Sequence, residues 1–169
     1  MEYLDLFDKN RNPLGRMVER KALLSKDEYI LAVGIWVVNS RNEILVTQRA
    51  LTKSFMPGKW ENTGGHVMAG EDAVSAVIRE LREETGLIAI PQDIEYLGTA
   101  TVWPYFGDNY CVRMDLDIRQ IVLCEDETID AKWVSLPEFK QMVESGELAI
   151  SVVEHMAAYR DAFYRIFED

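Results

Sequence analysis

The stretch from Gly65 to Leu87 constrains this chain more than any other part of it. Pro57, Gly58, Gly64, Gly65 and Gly70 make the segment before it a structured loop, and from Glu71 the apolar period becomes helical. Ala73, Val74, Val77, Ile78 and Leu81 recur at three- and four-residue spacing, which places them on one face that must pack against something. Gly86 stands where a left-handed residue ends such a helix, giving a helix over Glu71 to Thr85. That helix also carries Glu80, Glu83 and Glu84. Positions i, i+3 and i+4 share a face, so three like charges crowd one turn and raise one another's pKa. A hard divalent cation would relieve the crowding, because Mg²⁺ takes oxygen ligands and keeps several waters. Acidic triplets of this kind are common, and taken alone this one fits a solvated face opposite the apolar stripe better than a metal site.

The rest of the chain supplies a sheet for this helix. Tyr3 to Phe7, a turn at Lys9 to Gly15 and the residues after it read as a two-stranded element, with residues 1–28 forming an amino-terminal extension to a single domain of 169 residues. Ile30 to Asn39 is apolar nearly throughout, as expected of a strand covered on both faces. Glu43 to Ala50 returns as a second strand, and the loop over 51–70 contains a short one. Ile94 to Val102, Tyr110 to Val122 and Ala131 to Val134 read as further strands. In the middle one Val112, Met114, Leu116 and Ile118 alternate with charged residues, which predicts one packed and one polar face. Ser135 and Glu138 form a capping box for a helix over Leu136 to Glu144. From Ile150 to Phe167, Val152, Val153, Met156, Phe163, Ile166 and Phe167 make one helical stripe. Packing of that stripe on the chain's own core is preferred to a partner surface, although a homodimer stays open. Together these elements predict an α/β fold with a mixed sheet between helices.

Composition narrows the function classes. With 48% hydrophobic and 28% charged residues, the chain has the balance of a globular domain. No apolar run approaches the roughly 20 residues that cross a bilayer, and no signal segment opens the sequence, so the cytoplasm is the expected compartment. Cys111 and Cys124 do not make a disulfide framework, and both read as small buried residues in or near a strand. A formal charge of -11 repels a phosphate backbone, which argues against nucleic acid as a partner. It would repel a diphosphate too, unless cations stand where that group binds.

Gly65, Glu71, Arg79-Glu80-Leu81, Glu83-Glu84 and Gly86-Leu87 resemble the Nudix box position for position: glycine, five residues, glutamate, seven residues, Arg-Glu-apolar, one residue, Glu-Glu, one residue, Gly-apolar. The resemblance implies an α/β/α sandwich and a Mg²⁺-dependent hydrolase (with Mn²⁺ as a substitute) that cleaves the diphosphate bond of a small molecule, a nucleoside diphosphate linked to another group. It implies that the Gly64 carbonyl, Glu80 and Glu84 hold the metal, with Glu83 completing a second position or sharing its waters. Arg79 would aim the box glutamates, as groups outside the ligand set do, and Glu71 in the first turn would join that network. Glu80 and Glu127 are the candidates for general base, and Glu127 reads equally as part of a charged turn, Glu125-Asp126-Glu127.

A second resemblance ties the opening segment, Gln48-Arg49, Lys53, Pro57-Gly58-Lys59-Trp60 and Gly64-Gly65-His66 to isopentenyl-diphosphate isomerases and their hydrolase relatives. The isomerases require a cysteine one residue before the Gly-His pair, and here that position is Gly64. Hydrolysis is therefore expected over isomerisation. Arg49 and Lys53 are expected near the substrate phosphates, or else are a solvated basic pair. His66 could reach a phosphate oxygen or pack beside the loop. Trp103 to Phe106 could stack on a base or sit at a strand end. A non-catalytic nucleotide-sensing domain is the remaining alternative, and the complete glutamate set speaks against it.

Overall fold

The computed structural model describes residues 1–168. Strand β1 (Tyr3–Phe7) pairs antiparallel with β2 (Pro13–Glu19) in a sheet of their own. The main sheet contains β3 (Ile30–Val38), β4 (Ile44–Arg49), β5 (Trp60–Glu61), β6 (Thr63–His66), β7 (Glu95–Val102), β8 (Tyr105–Arg113) and β9 (Thr128–Val134). Its order is β5-β4-β3-β8-β7, with β6 beside β3 and β9 beside β4. The β3–β8 pair is parallel and the others are antiparallel, so the sheet is mixed.

Alternation along β3 assigns the two faces. Val33, Ile35 and Val37 pack with Ala76, Val77 and Leu81 of α1 (Ala73–Thr85). Trp36 and Val38 face the other way, toward α2 (Leu136–Ser145), α3 (Ile150–Met156) and α4 (Arg160–Arg165), through Phe139, Val152, Met156, Tyr159 and Phe163. The near-continuous apolar run of β3 is thus explained by helices on both faces. The amino-terminal hairpin covers the start of β3 through Leu4, Leu6 and Ile30. It is also clamped to the sheet by Arg11, which donates to both carboxylate oxygens of the buried Asp108.

Several elements depart from the expectations. Helix α1 starts at Ala73 with Asp72 as its cap, so Glu71 lies before the helix and not in its first turn. Strand β8 begins five residues earlier than expected and stops at Arg113, and the alternating residues after it leave the sheet for a single tight turn at Ile118–Gln120. Through Val112 the strand is buried on both faces, so the alternation there does not mark an exposed side. Of the two alternatives for Trp103 to Phe106, Tyr105 and Phe106 take the strand-end one at the start of β8, Phe106 stacking on Tyr29, while Trp103 remains exposed. The last segment breaks into α3 and α4, and Tyr159 between them packs over Gly98. Cys111 is buried in β8, but Cys124 is exposed in the turn region before β9.

Tyr159 also accepts a hydrogen bond from Trp36 Nε1 at 3.1 Å inside this core. Replacing Tyr159 with Phe leaves that N–H buried and unpaired, at an expected cost of about 1–3 kcal/mol. Urea unfolding should show a lower midpoint at an unchanged slope; an unchanged midpoint would contradict the assignment.

Candidate active site

The box loop and the box helix meet at the beginning of β3. Val67 N donates to Leu31 O, and antiparallel ladders alternate bonded and non-bonded pairs. The Gly34↔Gly64 and Ala32↔His66 pairs are then non-bonded, so the Gly64 and His66 carbonyls point away from β3. The His66 carbonyl accepts from Arg79 Nη2 at 2.9 Å. The Gly64 carbonyl, two residues earlier on the same side of the strand, is left available to a cation.

Arg79 is the hub of the charged groups. Its guanidinium grips Glu71 through two bonds of 2.9 and 3.0 Å, Glu80 at 2.8 Å and Glu83 at 3.1 Å. Glu71 also accepts from Met68 N at 3.0 Å, which ties the loop to the helix, and these bonds hold its carboxyl below the usual range. A β-carbon on Gly65 would stand 2.3 Å from the Glu80 carboxyl carbon, so only glycine lets that carboxylate lie against the loop. Burial raises the Glu80 carboxyl, opposed by its bond to Arg79.

Glu84 is different. Burial raises its carboxyl well above the ordinary range, and the charges of Glu61, Glu80 and Glu127 push it further. Arg49 opposes this through its charge, and no hydrogen bond to Glu84 is found among the described residues. Arg49 itself is engaged, with Nη1 at 2.9 Å from both oxygens of Glu61 and Nε donating to Phe55 O at 3.0 Å. Burial still leaves Glu61 raised. Lys53 is ion-paired with Glu127, whose side chain is 47% exposed. The two basic residues expected at the phosphates therefore each hold a carboxylate at the edge of the cluster. His66 lies against Tyr105 with ring centroids 5.8 Å apart. Burial, then the charge of Arg20, lower its pKa to about 4, and Nδ1 has no hydrogen-bond partner among the described residues.

The donor set fits a hard cation: carboxylates from one helix face and a backbone carbonyl, with Glu84 short of positive charge. Among the described residues no three acidic, imidazole or thiol side chains are already closed around one point. Glu80 and Glu83 are drawn toward Arg79 instead. Mg²⁺ is commonly held by only one or two carboxylates plus waters, so a closed cage is not required.

Beside this cluster, on the face away from α1, lies a cavity of about 180 Å³ lined by Glu61, Asn62, Gly64, Asn109, His155 and Tyr159 among others. None of Glu61, Asn62, Asn109, His155 and Tyr159 was identified from sequence. Glu61 and Asn62 stand in and beside a two-residue strand too short to show a period, and His155 lies in a stripe that reads as core.

No helix among the described residues is long and apolar enough to cross a membrane. An uncharacterised Nudix hydrolase of Listeria monocytogenes is 28% identical over 153 residues, covering 87% of this chain and 88% of that protein. An isopentenyl-diphosphate Delta-isomerase of Escherichia coli is 30% identical over 156 residues, covering 89% and 86%. A crystal structure from Deinococcus radiodurans superposes with a TM-score of 0.72 at 22% identity, over 88% of this chain and 92% of that one. The MutT protein of Methanosarcina mazei gives 0.61 at 26% identity, over 87% and 97%. The NUDIX domain model matches residues 28–151, nearly three quarters of the sequence and the whole of the forked sheet with its carboxylate helix, and the chain belongs to that family.

Proposed function

We propose that this chain hydrolyses the diphosphate bond of a nucleoside diphosphate joined to another group, using Mg²⁺ held by the Gly64 carbonyl, Glu80 and Glu84, with Glu83 nearby. The observation that carries the proposal is Glu84, a half-buried carboxylate crowded by the charges of Glu61, Glu80 and Glu127, with no hydrogen-bond donor among the described residues. When bound, the cation would neutralise the diphosphate oxygens and make water a better nucleophile. Arg79 holds Glu80 and Glu83 in place, and the Gly64-Gly65 backbone leaves room beside them. Lys53 would exchange Glu127 for a substrate phosphate, and Arg49 would add positive charge behind Glu61. Release from Lys53 frees Glu127 to take the proton from attacking water. Glu80 is the other candidate for that role, since a raised pKa suits a base working near neutrality.

Isomerisation, the activity named for relatives such as the Escherichia coli protein, needs a group to shuttle protons to carbon. Gly64 offers none, and Cys111 is buried in the core with its thiol pushed up to about 12.

A release assay with Mg²⁺ tests this reading on ADP-ribose, nucleotide sugars, nucleoside diphosphates and triphosphates, p-nitrophenyl phosphate and isopentenyl diphosphate. Nucleoside monophosphate should appear from a linked or terminal nucleoside diphosphate, with little action on the monoester, which offers only one phosphoryl group to neutralise. Isopentenyl diphosphate should give no dimethylallyl product by proton NMR. Preference for the monoester, or formation of the isomer, would overturn the proposal; preference for triphosphates would change only the substrate class.

A further inference from the structure

Across four neighbouring strands one row of the sheet is almost bare of side chains. Gly64 of β6 is opposite Gly34 of β3, Gly34 is in register with Asn109 of β8, and Asn109 with Gly98 of β7. Gly34 lies on the same face of β3 as Trp36, so the row faces the carboxy-terminal helices. The bare backbone is covered at two points. Tyr159 stands over Gly98, where a β-carbon would meet its Cβ at 2.8 Å, and His155 stands over Gly107, 3.5 Å from a β-carbon there. Between them and the box loop is the 180 Å³ cavity, with Gly64 at its edge.

Its polar groups are arranged to face a ligand. A β-carbon on Gly34 would come 2.8 Å from Asn62 Nδ2 and 2.9 Å from Asn109 Oδ1, so the two amides converge over that glycine. Asn109 Nδ2 donates to the Gly107 carbonyl at 2.9 Å, which fixes the amide and leaves Oδ1 as a free acceptor. Neither the Asn62 amide nor the His155 ring has a hydrogen-bond partner among the described residues. Burial lowers the His155 pKa, so the neutral ring presents one donor and one acceptor.

A hydrocarbon placed here would strip water from these groups and return nothing, which is costly for polar atoms. A planar ring with donors and acceptors on its edge would satisfy them while lying on the glycine floor beside the Tyr105 and His66 rings. The volume is below the roughly 300 Å³ at which complete small-molecule sites begin, so one ring system fits and a whole nucleotide does not.

The geometry points to this cavity as the seat of the substrate's heterocyclic base, with Asn62, Asn109 and His155 as the residues that select it. This rests on the proposed function, in which a nucleoside, its base joined to the diphosphate through the ribose, extends from the metal site at Gly64, which also lines the cavity. It assigns specificity to Asn62 between β5 and β6, Asn109 of β8 and His155 of α3, all outside the box and separate from the basic residues near the phosphates.

The test is ligand binding to the full chain with Mg²⁺ present, by calorimetry and amide NMR. The probes are the four common nucleoside 5′-monophosphates, ribose 5-phosphate and isopentyl phosphate. At least one nucleotide should bind and shift the amides of Gly107, Asn109 and His155, and the two probes without a base should bind at least tenfold more weakly. The changes His155→Phe and Asn62→Leu keep size and should each weaken nucleotide binding roughly tenfold, with thermal unfolding confirming the fold of each. Gly34→Ala, which puts a methyl under both amides, should act in the same direction. Equal binding of ribose 5-phosphate or isopentyl phosphate, or unchanged nucleotide affinity in both His155→Phe and Asn62→Leu, would overturn the inference even if diphosphates are hydrolysed. Base-dependent binding without hydrolysis of any diphosphate would sustain the cavity assignment and reject the proposed function instead.

Discussion

Glu84→Gln should remove at least 99% of turnover and at the same time make the metal-free protein more stable at neutral pH. Gln has nearly the volume of Glu, so packing is kept, but a neutral amide is a poor ligand for Mg²⁺. The opposite effect on stability follows from the folded structure, where burial and the charges of Glu61, Glu80 and Glu127 raise the carboxyl above its ordinary 4.5. At low pH Glu84 is protonated in the folded and unfolded chains alike and its burial costs little. As pH rises, the unfolded chain ionises first and the folded chain loses stability until its own raised pKa is passed. At pH 7 the substitution removes that loss, and on the order of 1 kcal/mol corresponds to roughly 2–4 °C in a chain of this size. Below about pH 4 the gain should vanish, since both states are then neutral at this position. Calorimetry in chelator at several pH values and single-turnover kinetics in Mg²⁺ would measure the two halves. Turnover within threefold of the parent removes Glu84 from the metal site. A loss of turnover with no pH-dependent gain would show that its carboxylate has a partner after all.

The carboxylate helix was legible in the sequence because everything that defines it is local. The apolar stripe of Ala73, Val77 and Leu81 and the left-handed Gly86 need only neighbours within a few turns. Its first turn is less sharply defined by sequence, because Glu71 and Asp72 are adjacent acidic residues and either can stand at a helix start. The structure uses Asp72 as the cap, its side chain accepting from Ser75 N, and gives Glu71 to Arg79. Strand β8 was harder. It begins at Tyr105, next to Trp103-Pro104, and its first five residues are fixed as strand only by pairing with β7 and with the parallel partner β3. The alternation that continues past Arg113 has no partner strand among the described residues to extend it.

The cavity was illegible for a different reason. Gly34, Gly64, Gly98 and Asn109 are dispersed through the chain and become one row only through strand register. Glycine inside a strand signals a close backbone approach, and Gly34 within the apolar run was the one available hint. The basic residues show the reverse pattern. Arg49 and Lys53 could be singled out by type, but their carboxylate partners Glu61 and Glu127 come from segments whose pairing the sequence does not reveal.

Arg79→Lys should cost about a hundredfold in turnover, more than removal of an ordinary surface ion pair could explain. The guanidinium makes five bonds in fixed directions: two to Glu71, one each to Glu80 and Glu83, and one to the His66 carbonyl. An ammonium keeps the charge but offers three donors on a flexible stem and cannot grip Glu71 with two parallel bonds. Glu80 would then lose the contact that holds it against Gly65, and Glu71 would lose part of its hold on the loop at Met68. Because these groups are half-buried, unpaired carboxylates should lower stability by about 1–3 kcal/mol as well. A purely structural role would reduce the amount of folded enzyme and leave its metal requirement unchanged. An aiming role predicts that the folded variant needs about ten- to a hundredfold more Mg²⁺ for half-maximal rate. Titration of rate against Mg²⁺ at a temperature where the variant is fully folded separates the two. An unshifted half-saturation would make Arg79 a stabilising residue only, and would leave Gly65 alone to account for the position of Glu80.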